Sequence, residues 1–224
     1  MSARIGVVVF PGSNCEYDAL AALGALGATA EFVWHSATSL DGYDGVVLPG
    51  GFAHGDYLRP GAIARFSPIM TAVSSYAASG RAVLGICNGF QVLTEAGLLP
   101  GALQKNRGLT FISRATAVVV TSTRSVLTRD AKVGQELSIP INHFSGSYTC
   151  DDVTYEQLVA GDQIVLRYRE NPNGSRDDIA AVCNEAGNVV GLMPHPERAI
   201  SALLGSEDGR VLLDGFIAAS QLVA

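Results

Sequence analysis

The sequence lacks the usual features of a nucleic-acid-binding, membrane-spanning or metal-binding protein. Its 15 lysines and arginines are scattered singly among 21 acidic residues, and the formal net charge is −6. No basic stripe is therefore available for nucleic acid or for an anionic membrane surface. No apolar run reaches membrane-spanning length. The four cysteines form no CxxC pair and no zinc-like spacing, so we expect free thiols and no metal.

Targeting and phosphate-binding motifs are missing as well. The first residues lead directly into the short apolar run Ile5–Phe10, without the cleavage site of a secretory signal. No Walker-type glycine loop is present, so we expect ATP to bind elsewhere than in this chain. Free thiols and the missing signal predict a cytoplasmic protein.

What is present in the first half is an alternation of strand and helix patterns. Runs of β-branched and apolar residues predict strands at 4–10, 29–34, 45–48 and 82–86. A capping-box match at Ser13 and Glu16 predicts the start of the first helix. Further helices are predicted from Pro60 to Ser79 and over 88–98. This alternation predicts an α/β fold with a doubly wound, mostly parallel sheet flanked by helices.

The second half has a different pattern. Strands are predicted at 115–121, 164–168, 179–184 and 189–193, joined by turns instead of helices. Turn residues at 171–175 and 185–188 favour antiparallel hairpins, and a closing helix is predicted over Val211–Leu222. No long linker interrupts the chain, so we expect residues 1–224 to form a single domain.

A candidate nucleophile lies where a buried strand meets a helix, in Gly85-Ile86-Cys87-Asn88-Gly89. The spacing is that of a nucleophile elbow, in which a strained turn exposes the central side chain and the glycines relieve the crowding. Such a turn also places the sulfur at a helix N-terminus, which favours negative charge. On its own, the pattern also fits a buried packing cysteine between two loop glycines.

A candidate base lies in Met193-Pro194-His195-Pro196-Glu197-Arg198. The prolines prevent a helix through His195. In an extended segment His195 and Glu197 share a face, so the carboxylate can orient the imidazole. Cys87, His195 and Glu197 together supply a nucleophile, a base and an orienting group. A surface histidine in a proline turn is the alternative when this motif is taken alone.

The combination of motifs resembles the class I glutamine amidotransferases. That family's G-x-C-x-G-x-Q elbow matches residues 85–91, and its His-Pro-Glu motif matches residues 195–197. Other segments narrow the resemblance to the glutaminase subunits of phosphoribosylformylglycinamidine synthases, enzymes of purine biosynthesis: 10–16, 48–59, 171–175 and 193–198. The similarity extends from residue 4 to the last predicted helix.

The resemblance implies a role for each matching residue. Cys87 forms a γ-glutamyl thioester, His195 transfers protons and Glu197 holds His195. Backbone N–H groups of Gly51 and Asn88 form the oxyanion hole. The remaining substrate-binding positions that it implies are Gly50, Phe52, Gln91, Asn142 and His143. The family usually has Gly-Glu where this chain has Phe144 and Ser145, and His143 fits a structural role equally well.

The resemblance also implies partners. Ammonia passes to a large ATP-dependent synthetase subunit, which converts formylglycinamide ribonucleotide to formylglycinamidine ribonucleotide and works with a small accessory subunit. ATP and magnesium belong to the synthetase, and this chain holds no cofactor. We further expect that partner binding completes the oxyanion hole.

Three alternatives stay open at this point. The chain could serve another ammonia-using synthase, such as one making anthranilate, imidazole glycerol phosphate or pyridoxal phosphate. It could be a cysteine hydrolase of the DJ-1 type, although those proteins usually carry a histidine close after the cysteine. It could also be an interaction module that has lost catalysis.

Overall fold

Parallel strands and helices alternate in the first half of the chain. The computed structural model describes residues 2–222. The elements of this half are β1 (Arg4–Val9), α1 (Glu16–Ala25), β2 (Thr29–Trp34), β3 (Gly45–Leu48), α2 (Pro68–Ala78), β4 (Ala82–Ile86) and α3 (Asn88–Glu95). Each of the four strands lies within one or two residues of its predicted position.

Strands dominate the second half. Its elements are β5 (Ala102–Gln104), β6 (Ile112–Val120), β7 (Glu136–His143), β8 (Ser147–Thr149), α4 (Asp152–Ala160), β9 (Ile164–Tyr168), β10 (Ile179–Cys183), β11 (Val189–Leu192) and α5 (Gly209–Ser220). Within residues 2–222, none of the helices is both long enough and apolar enough to cross a membrane.

One mixed sheet runs through both halves. Within the described residues it has nine strands in the order β2-β1-β3-β4-β11-β10-β9-β6-β7, and β5 and β8 form a separate antiparallel pair. Strands β2, β1, β3, β4 and β11 are mutually parallel, and the pairs from β11 through β7 are antiparallel. The predicted α/β fold with antiparallel strands in the C-terminal half is therefore confirmed.

The centre of the sheet positions the candidate site. Every residue of β3, β4 and β11 is buried, as expected for strands covered on both faces. Leu192 of β11 lies beside Ile86 of β4 in parallel register. The segments that follow, with Cys87 after β4 and His195 after β11, therefore leave the same edge of the sheet side by side. Ligands of open α/β sheets bind at this carboxyl edge.

Two predicted helix starts are wrong. Helix α1 begins at Glu16 without a side-chain cap, because the Ser13 hydroxyl instead accepts the Phe10 backbone N–H at 3.1 Å. The helix predicted from Pro60 begins at Pro68, which occupies its first turn. Gly61 has φ +81°, and this left-handed residue prevents a helix from continuing after Pro60.

Four elements of the second half were not predicted: the short strands β5 and β8, the strand β7 and the helix α4. Helix α4 lies where turns were expected, and the Asp151 carboxylate caps it by accepting the Thr154 N–H at 2.8 Å. Strand β7 pairs antiparallel with β6 along its length. It contains Pro140, a residue that sequence patterns place outside strand interiors. Here Pro140 lies on the outermost strand of the sheet, where one side of the backbone needs no sheet partner.

Candidate active site

A cavity of about 670 Å³ opens at the carboxyl edge of the parallel strands, a volume within the usual range for small-molecule sites. Its walls include most of the residues that the sequence singled out: Gly51, Phe52, Cys87, Gln91, Asn142, His143 and His195. Gly50, Asn88 and Glu197 are not among the residues that line it. The structure thus brings together residues as far apart in the sequence as Gly51 and His195.

Cys87 occupies a strained strand–helix turn. Its backbone has φ +50° and ψ −103°, a conformation that is costly for a residue with a side chain. The Cys87 N–H donates to the Leu192 carbonyl at 2.7 Å, which fixes the turn against β11. A Cβ atom on Gly89 would lie 1.9 Å from the Leu48 carbonyl oxygen. Glycine is therefore required at 89 by close packing of the turn on β3.

His195 and Glu197 form a buried pair. The His195 Nδ1 lies 2.6 Å from the Glu197 Oε1, and both side chains are 1% exposed. Because a carboxylate accepts hydrogen bonds, Nδ1 carries the proton and Nε2 presents a lone pair. Among the described residues Nε2 has no hydrogen-bond partner. Burial alone would lower the pKa of His195, but Glu197 and the charged form of Cys87 raise it well above its ordinary value, so the imidazole retains the proton once Nε2 has taken it from the Cys87 thiol.

A second thiol lies beside this pair, at Cys15. The Cys15 sulfur, a His195 nitrogen and a Glu197 oxygen lie within 4.8 Å of one another. The sulfur accepts from Arg198 Nη2 at 3.1 Å and faces the Asn14 Oδ1 at 3.1 Å. Cys15 was not among the site residues that the sequence motifs predicted. Its place in the 10–16 motif was the available clue, but nothing local to that motif indicates contact with His195.

The two predicted oxyanion-hole residues follow neighbouring parallel strands, Gly51 after β3 and Asn88 after β4. Gly51 has φ +145°, and a Cβ there would lie 2.7 Å from the Asn14 backbone nitrogen, so the loop closes tightly at this point. Asn88 is the first residue of α3, and the first backbone N–H groups of a helix have no intrahelical carbonyl partner. Both positions can therefore present backbone N–H groups close to the elbow.

The Asn88 side chain connects the start of α3 to the loop that follows Gly51. Its Oδ1 accepts the Ala53 N–H at 3.0 Å, and its Nδ2 donates to Gln91 Oε1 at 2.8 Å and to Asp56 Oδ1 at 3.2 Å. Gln91 in turn donates from Nε2 to the Ser145 carbonyl at 2.5 Å. The amide of Gln91 is thus bonded at both ends to the protein, and it braces the pocket wall.

Three of the predicted substrate-binding residues, Asn142, Phe52 and Gly50, have different surroundings in the structure. The Asn142 carbonyl lies 3.6 Å from the Cys87 sulfur, directly opposite the nucleophile. Phe52 is 46% exposed at the mouth of the cavity. A Cβ on Gly50 would lie 2.8 Å from His195 Cε1 and 3.0 Å from the Cys15 sulfur. Gly50 therefore makes room for those two side chains and does not itself face the cavity.

His143 is held as a neutral imidazole. Asn106 Nδ2 donates to two carbonyls, and Asn106 Oδ1 accepts the Gly146 N–H at 3.1 Å. With the amide orientation fixed in this way, His143 Nδ1 must donate to Oδ1, 3.0 Å away. Burial, followed by the nearby His195, lowers the pKa of His143 to about 4. Its Nε2 is left buried without a partner among the described residues.

These features define a class of thiol hydrolase in which an elbow cysteine works with a histidine oriented by a carboxylate. Comparison with known proteins agrees. The family model of the CobB/CobQ-like glutamine amidotransferase domain matches residues 2–210.

Relatives match over nearly their entire length. The chain is 52% identical over 219 residues to phosphoribosylformylglycinamidine synthase subunit PurQ of Rubrobacter xylanophilus, which covers 98% of the chain and 100% of the relative. It is 55% identical over 214 residues to the subunit of the same name from Parasynechococcus marenigrum, which covers 95% and 99%. A chain in the structure of PurLQS from Thermotoga maritima superimposes with TM-score 0.90 at 43% identity, over 97% and 99% of the two chains.

The chain belongs to the PurQ subunits of phosphoribosylformylglycinamidine synthase, within the CobB/CobQ-like glutamine amidotransferase domain family. The resemblance inferred from the sequence motifs is therefore confirmed. This membership argues against a cysteine hydrolase of the DJ-1 type. The names of the relatives argue against the alternative that the chain supplies ammonia to another synthase.

Proposed function

We propose that this chain hydrolyses glutamine to glutamate and ammonia and that the ammonia is used to make formylglycinamidine ribonucleotide. The observation that carries the proposal is the arrangement of Cys87, His195 and Glu197 at one cavity. His195 has its Nδ1 occupied by Glu197 at 2.6 Å and its Nε2 unpartnered. A base held in that tautomer, beside a cysteine in a strained turn, has the parts needed for nucleophilic attack on an amide.

In the proposed reaction, His195 Nε2 takes the Cys87 thiol proton and the sulfur attacks the side-chain amide carbon of glutamine. The tetrahedral oxyanion is stabilised by the N–H groups of Gly51 and Asn88. When the C–N bond breaks, His195 returns the proton to the leaving nitrogen, and ammonia departs. Water, deprotonated by His195, then hydrolyses the γ-glutamyl thioester to glutamate and regenerates the thiol.

Cys87, not Cys15, is proposed as the nucleophile although both sulfurs lie near His195. Cys15 has an ordinary backbone conformation, with φ −109°, and its sulfur is engaged by Arg198. Both cysteines directly precede a helix, α1 and α3, but of the two only Cys87 has the strained backbone, with φ +50°.

Covalent labelling separates the two thiols. Treatment with 6-diazo-5-oxo-norleucine, a glutamine analogue that alkylates amidotransferase nucleophiles, followed by peptide mass spectrometry, is expected to modify Cys87. Cys15→Ser should still be labelled at Cys87, whereas Cys87→Ser should not be labelled at all. Labelling of Cys15 in the unmodified chain would overturn the assignment, and no labelling of either thiol would contradict the proposed activity.

We further propose that the chain works as one domain in a cytoplasmic complex with a large synthetase subunit and a small accessory subunit. The match to a chain of the Thermotoga maritima PurLQS supports the complex, and the four free cysteines support a reducing location. The sheet that continues through both halves supports one domain. ATP and magnesium are assigned to the synthetase, and the chain itself needs no cofactor.

The loop after Gly51 is the proposed contact through which the partner completes the oxyanion hole. Tyr57 and Leu58 are 73% and 90% exposed, and Leu58 borders the cavity mouth. Leu58→Asp should lower the partner's stimulation of glutamate release without changing the labelling rate of Cys87 in the isolated chain. An exposed leucine elsewhere, Leu203 (97% exposed), provides the matched control as Leu203→Asp. Equal stimulation of the two variants would contradict a role for this loop.

A further inference from the structure

An unpaired carboxylate lies on the wall of the active-site cavity. Asp56 lines the cavity, and its Oδ1 accepts a hydrogen bond from Asn88 Nδ2 at 3.2 Å. Within residues 2–222, no lysine, arginine or histidine nitrogen lies within 4.0 Å of this carboxylate. Burial raises the pKa of Asp56 to about 6. A partly buried carboxylate with one amide donor is poorly compensated, and a cationic group entering the cavity would stabilise it.

The other charged residues of the cavity differ in how well they are paired. Arg59 binds Glu95 through two hydrogen bonds, of 2.5 and 2.7 Å. Lys105 has its ammonium 6.0 Å from the centre of the Phe144 ring and no carboxylate within 4.0 Å among the described residues. The cavity therefore offers one unpaired negative group and one unpaired positive group.

This pair of charges suits the proposed substrate. Glutamine at neutral pH is a zwitterion whose α-ammonium and α-carboxylate lie at the end remote from the reacting amide. Asp56 is one hydrogen bond away from Asn88, the residue after the nucleophile. A glutamine whose amide carbon is at Cys87 can thus direct its other end along this wall. Charge-assisted hydrogen bonds are the stronger ones, so such a contact discriminates well between ligands.

We propose that Asp56 is a specificity-determining residue that binds the α-ammonium group of glutamine, leaving Lys105 to face the α-carboxylate. The inference rests on the proposed glutaminase function and deepens it.

The direct test compares glutamine with 4-carbamoylbutanoate, which has the same amide and carboxylate but no amino group. Ammonia release by the complex with its synthetase and accessory subunits gives kcat/KM for each compound. Asp56→Asn should lower kcat/KM for glutamine about 10- to 100-fold, as expected for loss of a hydrogen bond to a charged group. The value for 4-carbamoylbutanoate should stay within about twofold of the unmodified protein.

Two further variants make the result specific. Asp130→Asn removes one negative charge from an exposed side chain near Arg129 and should leave both values unchanged. Lys105→Met should lower kcat/KM for both compounds by a similar factor, because both carry the carboxylate. The preference for glutamine over 4-carbamoylbutanoate should therefore be kept. A fall of equal size for both compounds in Asp56→Asn would show a structural role and overturn the proposal.

Labelling of Cys87 separates failure of this proposal from failure of the glutaminase assignment. The analogue 6-diazo-5-oxo-norleucine carries an α-ammonium group, whereas iodoacetamide carries no charge. Asp56→Asn should slow labelling by the first reagent at least about tenfold and leave labelling by the second unchanged. Equal rates with the first reagent would refute the role of Asp56 alone. Failure of the unmodified protein to react with it would refute the function on which the role depends.

Discussion

Replacing Glu197 by glutamine tests how the catalytic base is prepared. The change keeps the size of the side chain but removes the charge next to His195 Nδ1, 2.6 Å away. An amide NH₂ facing Nδ1 would also favour the opposite tautomer, with the proton on Nε2 and no lone pair for the Cys87 proton. The variant should therefore fold normally and lose most of its activity.

The size of the loss follows from burial. Both partners are 1% exposed, and removing one partner of such a pair costs about 3–5 kcal/mol. If the lost free energy destabilises the transition state, kcat should decrease about 10²- to 10⁴-fold, since about 1.4 kcal/mol corresponds to a tenfold change in rate. Because Glu197 raises the pKa of His195, Glu197→Gln should also lower that pKa.

Glutamate release by the assembled complex measures the effect, with thermal unfolding as the check on folding. Glu207→Gln alters an exposed glutamate close in sequence and should retain full activity. A Glu197→Gln protein that keeps kcat within about threefold of the unmodified protein would refute the assigned tautomer and the role of Glu197.

Three further outcomes are expected. Gly89→Ala should lower the free energy of unfolding in urea by about 3 kcal/mol, because its Cβ would lie 1.9 Å from the Leu48 carbonyl oxygen. Gly24→Ala, whose Cβ in α1 would have nothing within 4 Å, should instead raise the free energy of unfolding by about 0.5–1 kcal/mol. Equal urea midpoints for the Gly89→Ala and Gly24→Ala proteins would contradict the close packing at Gly89. Asp151→Ala should cost about 1 kcal/mol through loss of the α4 cap, and an unchanged midpoint would contradict the cap. The pKa of Asp56 is raised to about 6, so its carboxyl is ionised above that pH and protonated below it. The ratio of kcat/KM for glutamine to the iodoacetamide labelling rate should therefore fall as the pH drops through 6. A ratio that does not change with pH would contradict the role of Asp56 in binding.

The catalytic motifs were predictable because their signals are local. Cys87 between two glycines, and His195 two residues before Glu197, each carry their geometry within a few positions of the chain. The contacts of Cys15 and Asp56 were not predictable in this way. They depend on loops from separate strands meeting at one edge of the sheet, and no spacing in the sequence encodes that meeting.

Local rules failed where tertiary contacts compete with them. Ser13 fits a capping box, but its hydroxyl bonds to Phe10, and Ser13 pairs with Gly51 across the loop. Pro60 fits the first turn of a helix, yet the left-handed Gly61 delays the helix until Pro68. In each case the chain follows the packing around the site instead of the nearest helix signal.

The most direct test of the central claim is glutamate release from glutamine by this chain, first alone and then with the synthetase, the accessory subunit, ATP and formylglycinamide ribonucleotide. The account predicts strong stimulation by the complete mixture and complete loss of release in Cys87→Ala. Release that persists in Cys87→Ala would contradict the assigned nucleophile. Cys87-dependent release that the complete mixture leaves unchanged would contradict the coupling to formylglycinamidine ribonucleotide synthesis.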